Sequence, residues 1–147
     1  MTASTNPLPT QNQARVRVLI VDDSPDVLHD LHLLLELSGN IEITGEARNG
    51  LEAVQLTSEL KPDVVVMDLE MPGMSGYEAT RKIKSQGHPP RVVILSVHGT
   101  SEVKERARKA KADGFVLKGA SFDLLVDAIL ARTGSPGNKD PEEGSQS

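Results

Sequence analysis

Val16-Arg17-Val18-Leu19-Ile20-Val21-Asp22-Asp23-Ser24-Pro25 is a short apolar run that ends on two carboxylates and then starts a helix. Val, Leu and Ile follow one another in it almost without alternation. A parallel strand buried on both faces has this pattern. Three later stretches share the build. Val64-Val65-Val66-Met67 ends on Asp68, Arg91-Val92-Val93-Ile94-Leu95 ends on Ser96, and Phe115-Val116-Leu117 ends on Lys118. Ile41 to Ala47 alternates polar and apolar residues and reads as a further strand near a sheet edge.

Helical periodicity fills the gaps between these strands. Ser24 is placed to cap a helix whose first turn holds Pro25, with Val27, Leu28, Leu31, Leu34 and Leu35 on one face and Gly39 as its stop. Asn49-Gly50 leads into a second helix with Ala53, Val54, Leu56 and Leu60, ended by Pro62. A third runs from Ser75 to about Lys84. The fourth, Ser101 to about Ala112, has only Val103, Ala107, Ala110 and Ala112 as apolar residues. Small side chains bury little area, so this helix is expected to be weakly packed and cheap to move. Ser121 caps a fifth helix with Phe122, Leu125 and Ile129 on one face. Strand and helix alternate five times, which predicts an α/β fold with right-handed crossovers.

Composition narrows the classes of function. At 147 residues the chain is long enough for one domain with a real core. Its net charge is −5, from 16 Lys and Arg against 21 Asp and Glu, which gives no general attraction to nucleic acid or anionic membrane. The absence of Cys rules out disulfides and thiolate sites. No apolar stretch approaches the roughly 20 residues of a membrane span, and residues 1–14 have no apolar signal-peptide core. A cytoplasmic protein is the expectation. Residues 1–14 read as a disordered lead and residues 133–147 as a disordered acidic tail.

The strand ends carry the chemistry. Polar groups at the carboxyl ends of several parallel strands converge in the crevice where open α/β sheets bind ligands. Three carboxylates, a hydroxyl and an ammonium in one crevice suit a divalent cation and a phosphoryl group. An oriented carboxylate can accept a phosphoryl group when a cation shields the incoming charge. Asp68 fits that role, adjacent Asp22 and Asp23 can hold Mg²⁺, and Lys118 and Ser96 can meet phosphate oxygens. Taken singly, Asp22-Asp23-Ser24-Pro25 is also a capped helix start, Lys118 a surface lysine and Ser96 a turn former. Their joint occurrence at separate strand ends favours the site. His29, His32, His88 and His98 have no metal-ligand spacing, and only His98 adjoins the site. Tyr77 reads as helix packing.

With Val18–Pro25, Val65–Gly76, Val92–Ser96 and Ala112–Lys118 in view, the chain resembles the receiver domain of two-component response regulators, the CheY-like family, over about residues 15–132. The resemblance implies a flavodoxin-like doubly wound sheet of five parallel strands in the order 2-1-3-4-5, with five helices. It implies that Asp68 accepts phosphate from a sensor histidine kinase or a histidine phosphotransfer protein. Asp22, Asp23, Asp68 and the Glu70 carbonyl would hold Mg²⁺ or Mn²⁺. Ser96 and Lys118 would contact the phosphoryl oxygens, and Phe115 falls at the family's aromatic switch position. Glu70 and His98 fall where the family tunes hydrolysis. The output would be a changed surface on the fourth helix, fifth strand and fifth helix, read by an unknown partner or used in a phosphorylation-dependent homodimer. Such a domain is a signalling module that catalyses only its own phosphorylation and dephosphorylation.

Gly119 stands where many receivers carry proline, and Ala112–Ala120 is similar to receivers of LuxR-type transcription regulators. No helix-turn-helix pattern follows the fifth helix, so direct nucleic-acid binding is not expected of this sequence. A free-standing receiver and one separated from its output domain both remain open. An aspartyl-phosphate enzyme of the haloacid dehalogenase type would want Asp where Glu70 stands, and its nucleophile on the first strand. A degenerate receiver used only for protein binding would be expected to lack Asp22, Asp23, Asp68 or Lys118.

Overall fold

The computed structural model describes residues 15–131. The sequence readings for residues 1–14 and 133–147 lie outside it. Five parallel strands form one sheet in the order β2-β1-β3-β4-β5. They are β1 Val16–Val21, β2 Ile41–Ala47, β3 Val64–Asp68, β4 Arg91–Ser96 and β5 Gly114–Leu117. The helices are α1 Pro25–Leu37, α2 Gly50–Leu60, α3 Gly76–Lys84, α4 Ser101–Lys109 and α5 Phe122–Leu130. β2 is an edge strand, as its alternation predicts, with an irregularity in register between Val18 and Leu19 of its partner. No helix among the described residues is long and apolar enough to cross a membrane.

The apolar runs are nearly continuous because successive residues feed two cores. Val18, Ile20, Val64, Val66, Val93 and Val116 point to the face covered by α1 and α5, against Leu28, Leu35, Leu125 and Ile129. Leu19, Val65, Met67, Val92 and Ile94 point to the other face, against Ala53, Tyr77, Ile83 and Ala107 of α2, α3 and α4. Side chains alternate across a strand, so a sheet covered on both faces needs apolar residues at every position.

One helix end departs from the sequence reading. α4 stops at Lys109, short of Ala112. Lys111 adopts φ +74°, its N–H bonds the Arg108 carbonyl at 2.9 Å, and the Ala112 N–H bonds the Ala107 carbonyl at 3.1 Å. This is a Schellman closure with lysine where glycine is usual. The sequence therefore carried no stop signal. α2 and α5 have no basic residue in their last turns. Strand arginines take up the orphan carbonyls instead. Arg17 reaches Leu60 O and Lys61 O at 2.9 and 2.8 Å, and Arg91 reaches Ala128 O and Ile129 O at 3.1 and 3.2 Å. Both tie a helix end to the start of a strand.

Candidate functional site

β1, β3, β4 and β5 deliver their polar residues to one end of the sheet. β3 and β4 extend to include Asp68 and Ser96, one residue beyond the apolar runs. Asp68 therefore pairs in register with Leu95, and Ser96 with Leu117. The acceptor candidate thus sits on rigid sheet, and the loop Leu69–Ser75 begins after it. Asp22, Asp68 and Ser96 are 2%, 5% and 1% exposed, whereas Asp23 is open to solvent.

Asp22, Asp23 and Asp68 each offer a carboxylate oxygen, all within 4.8 Å of one another. It is the only group of its kind found among the described residues. Lys118 Nζ donates to Asp22 Oδ2 at 2.8 Å and lies 3.5 Å from Asp68 Oδ1. The Ser24 N–H donates to Asp22 Oδ1 at 2.9 Å, which orients that carboxylate. The Glu70 N–H approaches Asp68 Oδ1 at 3.4 Å. Burial pushes the Asp68 carboxyl above its usual range, and the Asp22 charge adds to this; Lys118 and the Glu70 N–H only partly offset it. Burial alone would depress Lys118, but its hydrogen bond to Asp22 and the charges of Asp68 and Asp22 hold it above the usual lysine value. Lys118 is thus a cation held against Asp22 and Asp68.

An oxygen-only donor set with repelling carboxylates suits a hard divalent cation such as Mg²⁺. Adding Mg²⁺ is expected to raise the melting temperature at neutral pH, because a ligand bound to the folded form alone stabilises it. The gain is about 2.7 kcal/mol at one hundred times the dissociation constant. It should fade in acid as the carboxylates take up protons. A melting curve indifferent to Mg²⁺ at every concentration speaks against the site.

The remaining candidates lie around this centre. Ser96 Oγ donates to the His98 carbonyl and accepts from the His98 N–H, both at 3.1 Å, so its hydroxyl is held by its own loop. His98 Nε2 lies 2.9 Å from Glu70 Oε2, which joins the loop after β3 to the loop after β4. Phe115 is half-buried on β5. Sequence reasoning missed the Glu70–His98 contact, since the two residues lie on loops after different strands. It also missed the role of Gly76. A Cβ on that residue would stand 2.2 Å from the Asp68 carbonyl oxygen and 2.8 Å from Leu69 Cα. The glycine reads locally as an ordinary helix start.

Comparison with known proteins agrees with this geometry. The response regulator receiver domain family matches over residues 18–130, and the chain belongs to that family. The nitrate/nitrite response regulator protein NarL of Escherichia coli (strain K12) is 34% identical over 118 residues, covering 80% of this chain and 55% of that protein. The chain therefore spans about half the length of the curated relatives it matches. The receiver domain of the putative response regulator NarL from Mycobacterium tuberculosis superposes with a TM-score of 0.75 at 34% identity, covering 79% of this chain and 94% of that one. A chain of the CheX–CheY–BeF3–Mg²⁺ complex from Borrelia burgdorferi superposes with a TM-score of 0.72 at 25% identity, covering 79% and 87%. The expected CheY-like fold and strand order are observed. Membership of this signalling family leaves the haloacid dehalogenase reading without support.

Proposed function

We propose that the chain is a phospho-accepting receiver in which Asp68 takes a phosphoryl group from a sensor histidine kinase or histidine phosphotransfer protein. The observation that carries this reading is the buried Asp68 on the central strand β3, flanked by Asp22, Asp23 and the Lys118 ammonium. An Asp68 carboxylate oxygen attacks phosphorus, an O–P bond forms, and the N–P bond of the donor histidine breaks with its electron pair staying on nitrogen. Asp22, Asp23, Asp68 and the Glu70 carbonyl would hold Mg²⁺ or Mn²⁺, which when bound neutralises carboxylate charge and shields the incoming phosphoryl oxygens. Lys118, already between Asp22 and Asp68, is placed to exchange a carboxylate contact for a phosphoryl oxygen. Incubation with acetyl phosphate, with Mg²⁺ or with a chelator, tests the reading. Intact mass should show one added phosphoryl group only with Mg²⁺, and no addition in either arm would refute it.

The Ser96 hydroxyl is the first moving part. A phosphoryl group beside it offers a stronger acceptor than the His98 carbonyl. The hydroxyl then turns, the loop Val97–Thr100 follows, and Phe115 rotates inward. A phenylalanine ring leaves no polar group unpaired when buried. α4 moves with the loop, and the α4–β5–α5 surface changes its preference for an output partner or a second copy of the chain. Beryllofluoride, a phosphoryl mimic, should alter amide exchange chiefly in residues 96–120. Changes confined to the neighbourhood of Asp68 would contradict this coupling.

Glu70 and His98 are positioned to control water at the mouth of the site. They are held against each other at 2.9 Å, while their backbone N–H groups meet Asp68 Oδ1 and Ser96 Oγ. Replacing both by alanine is expected to change the lifetime of the phosphorylated protein several-fold. A decay rate equal to that of the parent would assign them to the surface only.

A further inference from the structure

We propose that Arg106 and Tyr77 form a latch holding α4 in its unphosphorylated position, with Lys104 and Phe115 as a second, looser catch. This rests on the phospho-accepting reading above and names a regulatory contact within it.

α4 has little else to hold it. Ala107 is its one buried residue, Ala110 is buried at its end, and Val103 is half-buried. Against this poor apolar face stand two cation–π contacts. The Arg106 guanidinium carbon lies 4.0 Å from the Tyr77 ring centroid, and Lys104 Nζ lies 5.8 Å from that of Phe115. The chain has one Tyr, two Phe and no Trp, so α4 sets a cation against most of its aromatic rings. Arg106 forms no ion pair among the described residues, whereas neighbouring Arg108 is engaged by Glu105. Its partner is therefore the ring.

The position of Tyr77 gives the contact its consequence. Tyr77 is 8% exposed and sits in the first turn of α3, next to Gly76. The Gly76 N–H donates to the Leu69 carbonyl at 3.2 Å, in the loop that leaves Asp68. Arg106 thus fastens α4 to the acceptor side of the site, while Lys104 faces the switch ring on β5. A shift of α4 pulls Arg106 off Tyr77, and inward rotation of Phe115 takes its ring from Lys104. Both contacts belong to the unswitched arrangement and bias the equilibrium toward it.

Beryllofluoride titration of the full chain with Mg²⁺ tests the latch. Arg106→Gln, at an exposed helix position, should raise apparent beryllofluoride affinity by about two- to fivefold. It should also speed amide exchange in residues 101–109 of the unliganded protein. Tyr77→Leu should do the same, and the double variant should gain no more than either single one. Tyr77→Phe keeps the ring and should stay near the parent. Unchanged affinity in Arg106→Gln, or fully additive gains in the double variant, overturns the latch while leaving the receiver reading intact. Where Tyr77→Leu fails to fold, Arg106→Gln alone decides. Failure of the parent to bind beryllofluoride at all would remove the receiver reading and the latch with it.

Discussion

Asp68→Asn is expected to gain no mass from acetyl phosphate under conditions that label the parent fully. The amide keeps the shape of the carboxyl and loses the nucleophilic oxygen. Among the described residues, no other acid ends a central strand beside both the Asp22–Asp23 pair and Lys118. Full labelling of the variant would move the acceptor elsewhere. The same change has a second, independent readout. In the metal-free protein, burial and Asp22 hold the Asp68 carboxyl above its usual range. The fold prefers its protonated form, so its contribution to stability is fully present below the ordinary carboxylate value and is lost as pH rises through the folded value. Asparagine is neutral at every pH and escapes that loss, while Lys118 keeps its 2.8 Å partner Asp22. Metal-free Asp68→Asn should melt a few degrees above the parent at neutral pH. The difference should narrow below about pH 4. A gap that widens in acid would reverse the sign and contradict the account.

Gly76→Ala should damage the site without touching a charged group. The new methyl would meet the Asp68 carbonyl oxygen at 2.2 Å and the Asp68 carbonyl carbon at 3.0 Å. Both are backbone atoms of Asp68, the proposed acceptor, so no side-chain rotation relieves the clash and β3 or the start of α3 must move. Overpacking of this kind costs about 1–3 kcal/mol. The displaced carboxylate matters more. A misplacement of about 1 Å lowers a group-transfer rate by as much as ~10²-fold, so the rate of Asp68 labelling is expected to fall at least about tenfold. Gly119→Ala is the control. A Cβ there meets nothing within 4 Å, although the residue follows Lys118. Labelling at parental rate in Gly76→Ala would show that the loop absorbs the methyl harmlessly.

The two predictions divide along the line between what is local in this chain and what is not. The amino-acid sequence by itself determined the class of fold. Nearly continuous Val, Leu and Ile runs at β1, β3 and β4 demanded strands covered on both faces, and the helical spacing between them supplied the covers. The residue that ends each run was readable too, because a strand delivers its carboxyl end to the sheet's binding edge whatever its neighbours are. Caps such as Ser24, Asn49 and Ser121 are likewise local chemistry, satisfied within three residues.

Tertiary structure decided which groups face each other. Lys118 meets Asp22 across 96 residues, and Glu70 meets His98 across two strand–loop units. Those encounters depend on sheet order and register, which no periodicity encodes. The same holds for Arg17 and Arg91, whose guanidinium groups close helices distant in sequence, and for Arg106 over Tyr77. Alternation assigned Val18 and Leu19 to opposite faces, but only the packed helices fixed which core each entered. The early end of α4 was hidden because lysine, not glycine, took the left-handed position at residue 111. Gly76 is the clearest case. Its requirement for no side chain comes from the backbone of Asp68 pressed against it, a contact that exists only once β3 and α3 are docked.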